Sequence, residues 1–209
     1  MGRPGKSVLC ALLLLGGVAC SGNPAAPPTN PSVSAATPAA PTPAPSTAAP
    51  WTVLSTQSRK DLLRAFSARS NADFLELHVE TNIGWTLQGA NEGSSFWIFL
   101  DTDRDRRTGC RSNPWSAADV DLGAEFMVTV SPHWGQAVYS CRDGWWWDWQ
   151  PLGRLEAHPD QHWFEVAVPL ESIGRPASVD LAVVCWIGIS AYPDQMPPAG
   201  HVTFAAAAR

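Results

Sequence analysis

A period of two constrains this chain more than any other feature. Over residues 74–80, Leu75, Leu77 and Val79 alternate with Glu76, His78 and Glu80, the pattern of a strand with one buried and one wet face. Residues 62–68 read as its partner, with a hairpin turn at Ser70-Asn71-Ala72-Asp73, residue types that suit tight turns. Residues 96–100 are apolar on both faces and therefore central. Further strands are expected over 125–130, 136–141, 145–150, 163–168 and 179–189, separated by Pro, Gly, Asp and Asn. Helical periodicity is nearly absent, and residues 170–174, after Pro169, offer a single helical turn. The predicted fold is all-β, a two-sheet antiparallel β-sandwich, jelly-roll-like, of roughly eight to ten short strands.

The alternation begins only after position 50. Residues 1–20 carry Arg3 and Lys6, an apolar run from Val8 to Leu15, and Gly17-Val18-Ala19-Cys20. This is the form of a bacterial secretory signal. Its apolar run falls far short of the roughly 20 residues that span a bilayer. Cys20 stands where a lipobox cysteine would, although Gly17 replaces the usual Leu three positions earlier. Two readings stay open, a lipid anchor on Cys20 or ordinary cleavage near Ala19. Residues 21–50 are uncharged and dominated by Pro, Ala, Ser, Thr and Asn. Such a segment has too little apolar surface to offset its ordering entropy. It reads as a disordered linker that holds a domain off a membrane. Residues 51–209 are long enough for one domain with a sizeable core.

Arg3 and Lys6 aside, the domain carries 12 Lys and Arg against 19 Asp and Glu, a net charge of −7. Nucleic-acid binders present basic patches, so no nucleic-acid partner is expected. With Cys10 and Cys20 ahead of the domain, Cys110, Cys141 and Cys185 remain. In an exported, oxidising setting two of the three should pair. Cys110 and Cys141 lie near loops, whereas Cys185 sits inside the apolar run Val183-Val184-Cys185-Trp186-Ile187. The expected disulfide is Cys110–Cys141, with Cys185 a buried thiol; spacing alone does not fix the connectivity.

Asp101, Asp103 and Asp105 follow the central strand directly, spaced two apart in Asp101-Thr102-Asp103-Arg104-Asp105-Arg106-Arg107-Thr108-Gly109. Carboxylates so arranged repel unless a cation or several amides hold them, which suits a hard ion such as Ca²⁺. This is no EF-hand, because Arg106 stands at the invariant Gly and Ser112 at the bidentate Glu. A different Ca²⁺ loop would draw further oxygens from Asp119, Asp121 or Glu125. In the competing reading, Arg104, Arg106 and Arg107 neutralise the carboxylates of a plain strand-ending turn.

Eleven tryptophans are the second chemical signal. Trp145, Trp147 and Trp149 share one side of an expected strand, and Trp115 and Trp134 lie in expected loops. Exposed indoles stack on the C–H faces of sugars, so these five are candidate carbohydrate contacts. Packing in the core is the competing reading, since Trp buries a large apolar area. Catalytic signals are missing. His158 and His162 are separated by Pro159 and lack the Glu of a helical zinc motif, and no nucleophile elbow, P-loop or dinucleotide loop occurs. A non-catalytic protein is expected.

The order of Leu100-Asp101-Thr102-Asp103, Thr108-Gly109, Gly123-Ala124-Glu125-Phe126, Glu165-Val166-Ala167-Val168-Pro169-Leu170 and Tyr192-Pro193-Asp194 before Gly200-His201 resembles the family 9 carbohydrate-binding-module-like, or DOMON-like, β-sandwich domains. The resemblance spans about residues 60–204. It implies a jelly-roll-like sandwich, often with bound Ca²⁺, and an aromatic clamp in sugar-binding members. By position, Asp101, Asp103 and Asp105 match the family's acidic turn, and Glu125 falls where Asp is more usual. The expectation is an envelope-anchored carbohydrate-binding module with a structural Ca²⁺. A lipoprotein that binds another envelope protein is the alternative.

Overall fold

The computed structural model describes residues 49–58, 62–85, 94–110, 122–132, 135–141, 144, 149–186 and 194–206. They form twelve strands: β1 (Thr52–Thr56), β2 (Leu63–Ser70), β3 (Phe74–Thr81), β4 (Ser95–Asp101), β5 (Phe126–Ser131), β6 (Gly135–Cys141), β7 (Trp149–Arg154), β8 (Ala157–Pro159), β9 (Trp163–Pro169), β10 (Ser178–Trp186), β11 (Asp194–Met196) and β12 (Val202–Ala205). The expected helical turn is present at Leu170–Ile173 and ends on Gly174 in the left-handed region.

Two antiparallel sheets result. One has the order β1-β2-β3-β9-β8; the other runs β11-β10-β4-β5-β6-β7, with β12 also paired to β10. Alternation in β3 puts Leu75, Leu77 and Val79 inside and leaves Glu76, His78 and Glu80 half-buried on the far face. The β2–β3 turn is held by Asn71, whose Oδ1 accepts the N–H groups of Asp73 and Phe74, both at 2.8 Å. The run that is apolar on both faces, β4, lies between β10 and β5.

The interior takes Phe66, Leu77, Phe164 and Val166 from the five-stranded sheet and Phe96, Ile98, Leu100 and Leu181 from the other. Phe96 and Phe164 meet across the sheets at 4.9 Å, and Trp85 sets its edge against both. Burying each such side chain contributes roughly 1.5–3 kcal/mol. The all-β sandwich read from the sequence is therefore the fold observed.

Two details differ from the expectation. Strand β7 runs from Trp149 to Arg154, further along the chain than the expected 145–150. It passes through Pro151, tolerated because β7 ends the order of its sheet. Strands β1, β8, β11 and β12 were not legible, being three to five residues long. They depend on pairing with longer neighbours rather than on their own pattern.

The Cys110–Cys141 disulfide is formed, with Cα atoms 5.8 Å apart, and Cys185 is a buried free thiol. A disulfide of this kind fits an exported protein. No described helix is long and apolar enough to cross a membrane.

Candidate metal centre

At the end of β4 the chain turns sharply, and Glu125 reaches back into that turn from the residue before β5. Two glycines make the approach feasible. A Cβ on Gly109, whose φ is +59°, would come 2.5 Å from the carbonyl of Gly123. A Cβ on Gly123 would come 2.5 Å from the carbonyl of Thr108. Backbone thus meets backbone without side chains between, the close contact only glycine allows. The two half-cystines then pin the segment. Cys110 N–H donates to the carbonyl of Ala124 at 2.9 Å, and Cys141 N–H to that of Glu125 at 2.8 Å.

Asp101, Asp103 and Glu125 come together as a result, each with an oxygen within 4.8 Å of the others. Asp101 is 1% exposed. Its Oδ1 accepts the backbone N–H of Arg104 at 2.5 Å. Its Oδ2 is buried and has no hydrogen-bond partner among the described residues. Burial pushes the Asp101 carboxyl up to about 6, only partly opposed by the Arg104 N–H, and the nearby charges of Glu125, Asp103 and Asp180 push the same way. A buried carboxylate oxygen with no donor, facing further carboxylates, is costly unless protonated or bound to a cation.

Thr108 adds to the crowding of acceptors. Its hydroxyl oxygen stands 2.8 Å from Glu125 Oε1, 3.0 Å from Asp103 Oδ2, 3.1 Å from Asp103 Oδ1 and 2.7 Å from the carbonyl of Asp105. One hydroxyl carries one proton. It donates to one of these acceptors, and the other contacts set lone pair against lone pair. Thr102 completes the rim, its N–H donating to Glu125 Oε2 at 2.8 Å. The centre as built is an all-oxygen set that can hold a metal ion.

Three of the four expected carboxylates thus converge, and Asp105 does not join them. Its carboxylate is gripped by Arg107, through Nε at 2.8 Å and a terminal nitrogen at 2.7 Å. Arg104, in the left-handed region at φ 59°, sends its Nε to Asp180 Oδ2 at 3.4 Å. So part of the arginine reading holds for Asp105. Asp119 and Asp121, the other proposed oxygen donors, lie outside the described residues, as does Cys20.

Of the candidate sugar contacts, Trp115, Trp134, Trp145 and Trp147 also lie outside the described residues. Trp149 is half-buried at the start of β7, 6.2 Å from Phe99. It borders a second apolar cluster of Phe99, Met127, Ala182 and Val184, edged by Trp97 and Tyr139. These residues alternate with the interior set, so the cluster lies on the outer face of the seven-stranded sheet. At the sheet's β6–β7 edge, Tyr139, Pro151, Leu152 and Arg154 line a hollow of about 660 Å³.

Thr102, Thr108, Gly109 and Gly123 stand in the motif, and their part follows from which backbones touch. The chain matches no known protein-family model and no curated protein.

Proposed function

We propose that this protein is a non-catalytic carbohydrate-binding module, tethered to the bacterial envelope through a lipid on Cys20 and braced by Ca²⁺ at the acidic turn. The observation that carries the ligand reading is the set of half-buried rings, Trp97, Tyr139 and Trp149, that borders the buried apolar cluster on the outer face of the seven-stranded sheet. Indole and phenol rings suit sugars because they combine a flat apolar face with a polar edge.

Ca²⁺ is favoured over other ions by the donor set. Carboxylate and hydroxyl oxygens on a turn, with no His or Cys among them, match a hard cation with flexible geometry. Asp101, Asp103 and Glu125 would hold the ion, and Thr108 would turn its hydroxyl lone pairs toward it. The ion's role would be structural, locking the β4–β5 connection at the margin of the aromatic cluster.

The test is a thermal melt of the full chain with Ca²⁺, with EDTA, and with a panel of soluble glycans. A ligand that binds only the folded state raises the melting temperature by mass action. A rise with one sugar class, together with quenching of Trp fluorescence, is the expected result. A Ca²⁺ response without any glycan response would leave the brace and remove the carbohydrate reading.

A further inference from the structure

The opposite face of the sandwich carries its own aromatic row. On the outer side of the five-stranded sheet, the rings of Trp51 and His78 are 5.4 Å apart, and those of His78 and Trp163 are stacked at 5.5 Å. All three side chains are half-buried. Strand register explains the row: His78 of β3 is opposite Glu165 of β9, and Trp163 is opposite Glu80. Trp51, just before β1, folds over β2, where the Arg69 guanidinium lies 4.2 Å from its ring centre.

Polar groups fix the margins of this row. Arg69 donates to Glu76 through Nε at 2.6 Å, and Arg64 pairs with Glu80. The two ring nitrogens of His78 face Glu165 at 3.2 Å and Glu80 at 3.4 Å. Side chains held by one another lose little further freedom when a ligand arrives. Arg64 pairs with Glu80 and Arg69 with Glu76, and Glu165 adds a further carboxylate, so the face has no surplus of positive charge to attract a polyanion. Arg69 lies over one face of Trp51 and His78 stacks on one face of Trp163, so each indole keeps its other face, with both donors and acceptors beside it. That combination complements a neutral sugar, whose hydroxyls give and accept and whose C–H faces stack.

From this arrangement we infer a second glycan-binding face, opposite the first, in which a neutral oligosaccharide lies along Trp51, His78 and Trp163 with Glu80, Glu165 and Arg69 bonding its hydroxyls. The inference rests on the carbohydrate reading above. With two faces, one molecule bridges two chains of a polysaccharide and gains avidity from linkage alone.

Calorimetric titration of the full chain with cellohexaose, xylohexaose and mannohexaose tests it. For the hexasaccharide that binds, Trp163→Ala and Trp51→Ala are expected to remove one set of sites or weaken it at least tenfold. Glu165→Gln, which keeps the size of the side chain and leaves the rings in place, is expected to weaken the same sites several-fold with an unchanged melting temperature. Trp149→Ala should leave these sites intact and affect the other set. Wild-type affinity and stoichiometry in Trp51→Ala, Trp163→Ala and Glu165→Gln, with loss only in Trp149→Ala, would overturn the second face and keep the carbohydrate reading. No binding by the wild type would overturn both. Retention of an envelope protein through Trp163 in place of any sugar would assign the face to a protein partner and overturn the inference.

Discussion

The two outer faces of this sandwich solve the same problem by different means. The five-stranded sheet turns out a ladder of ion pairs in which Trp51 and Trp163 are embedded. The seven-stranded sheet turns out half-buried rings around a buried apolar cluster and, at one end, an acidic centre in which Asp101 Oδ2 has no donor among the described residues. On the first face Arg64 pairs with Glu80 and Arg69 with Glu76, and Glu165 lies against the ring of His78. On the second, Asp101 Oδ2 is buried without a partner among the described residues, in an acidic triad that could hold a metal ion. Surplus like charge in a protein is the more informative of the two states, because it names the sign of what is missing.

The common interior sets the scale against which both faces are judged. Phe164→Ala, which removes the ring joining the sheets at Phe96 and Trp85, is expected to cost about 3–5 kcal/mol. Denaturant unfolding would measure it, and ligand responses on both faces should weaken together. Reducing the disulfide, or replacing Cys110 and Cys141 by Ser, should cost about 2–4 kcal/mol through the freed 31-residue connection. That change should also loosen Glu125 and blunt the Ca²⁺ response, while binding through Trp163 persists. An equal loss on both faces would break the comparison.

Saturating Ca²⁺ at a hundredfold over its Kd is expected to add about 2.7 kcal/mol, a rise of roughly 5–10 °C for a domain of this size. Asp101→Asn should abolish that rise and leave the metal-free protein no less stable, since it removes a buried charge among like charges. Trp51→Ala should leave the rise untouched, and differential scanning calorimetry distinguishes the two.

The pH dependence sharpens the contrast further. In the folded, metal-free chain the Asp101 carboxyl keeps its proton up to about 6, against an ordinary value of 3.8. Between those values the folded state holds more protons than the unfolded one. The contribution of this group to stability is therefore complete below 3.8 and is lost as pH rises through about 6. Ca²⁺ competes with that proton, so the gain from Ca²⁺ should grow over the same interval. Melts at a series of pH values, with Ca²⁺ and with EDTA, would show the two curves diverging; parallel curves would exclude Asp101 as a ligand. The smallest effect expected is that of Arg69→Ala, which removes a partly exposed cation from the face of Trp51 at about 0.5–1 kcal/mol.

Much of this was already legible before any coordinates. Alternation in Leu75, Leu77 and Val79 fixed which face of β3 is wet, because successive strand side chains point to opposite sides. The two-sided apolar run of β4 placed it centrally, and the Cys110–Cys141 pairing followed from one cysteine being embedded in an apolar strand. Three members of the acidic centre could be named because they are spaced at a turn or stand ahead of a strand.

Tertiary structure decided the rest. That Asp105 leaves the centre for Arg107, and that Thr108 enters it, depends on the path of one tight turn, to which the spacing of residues is blind. The row of Trp51, His78 and Trp163 joins residues from three places in the sequence, and only the register of β1, β2, β3 and β9 brings them side by side. Local pattern encodes which face a residue takes, since a strand's geometry repeats every two residues. Which residues meet on that face is set by pairing across the sheet, and a single strand carries no record of its neighbours.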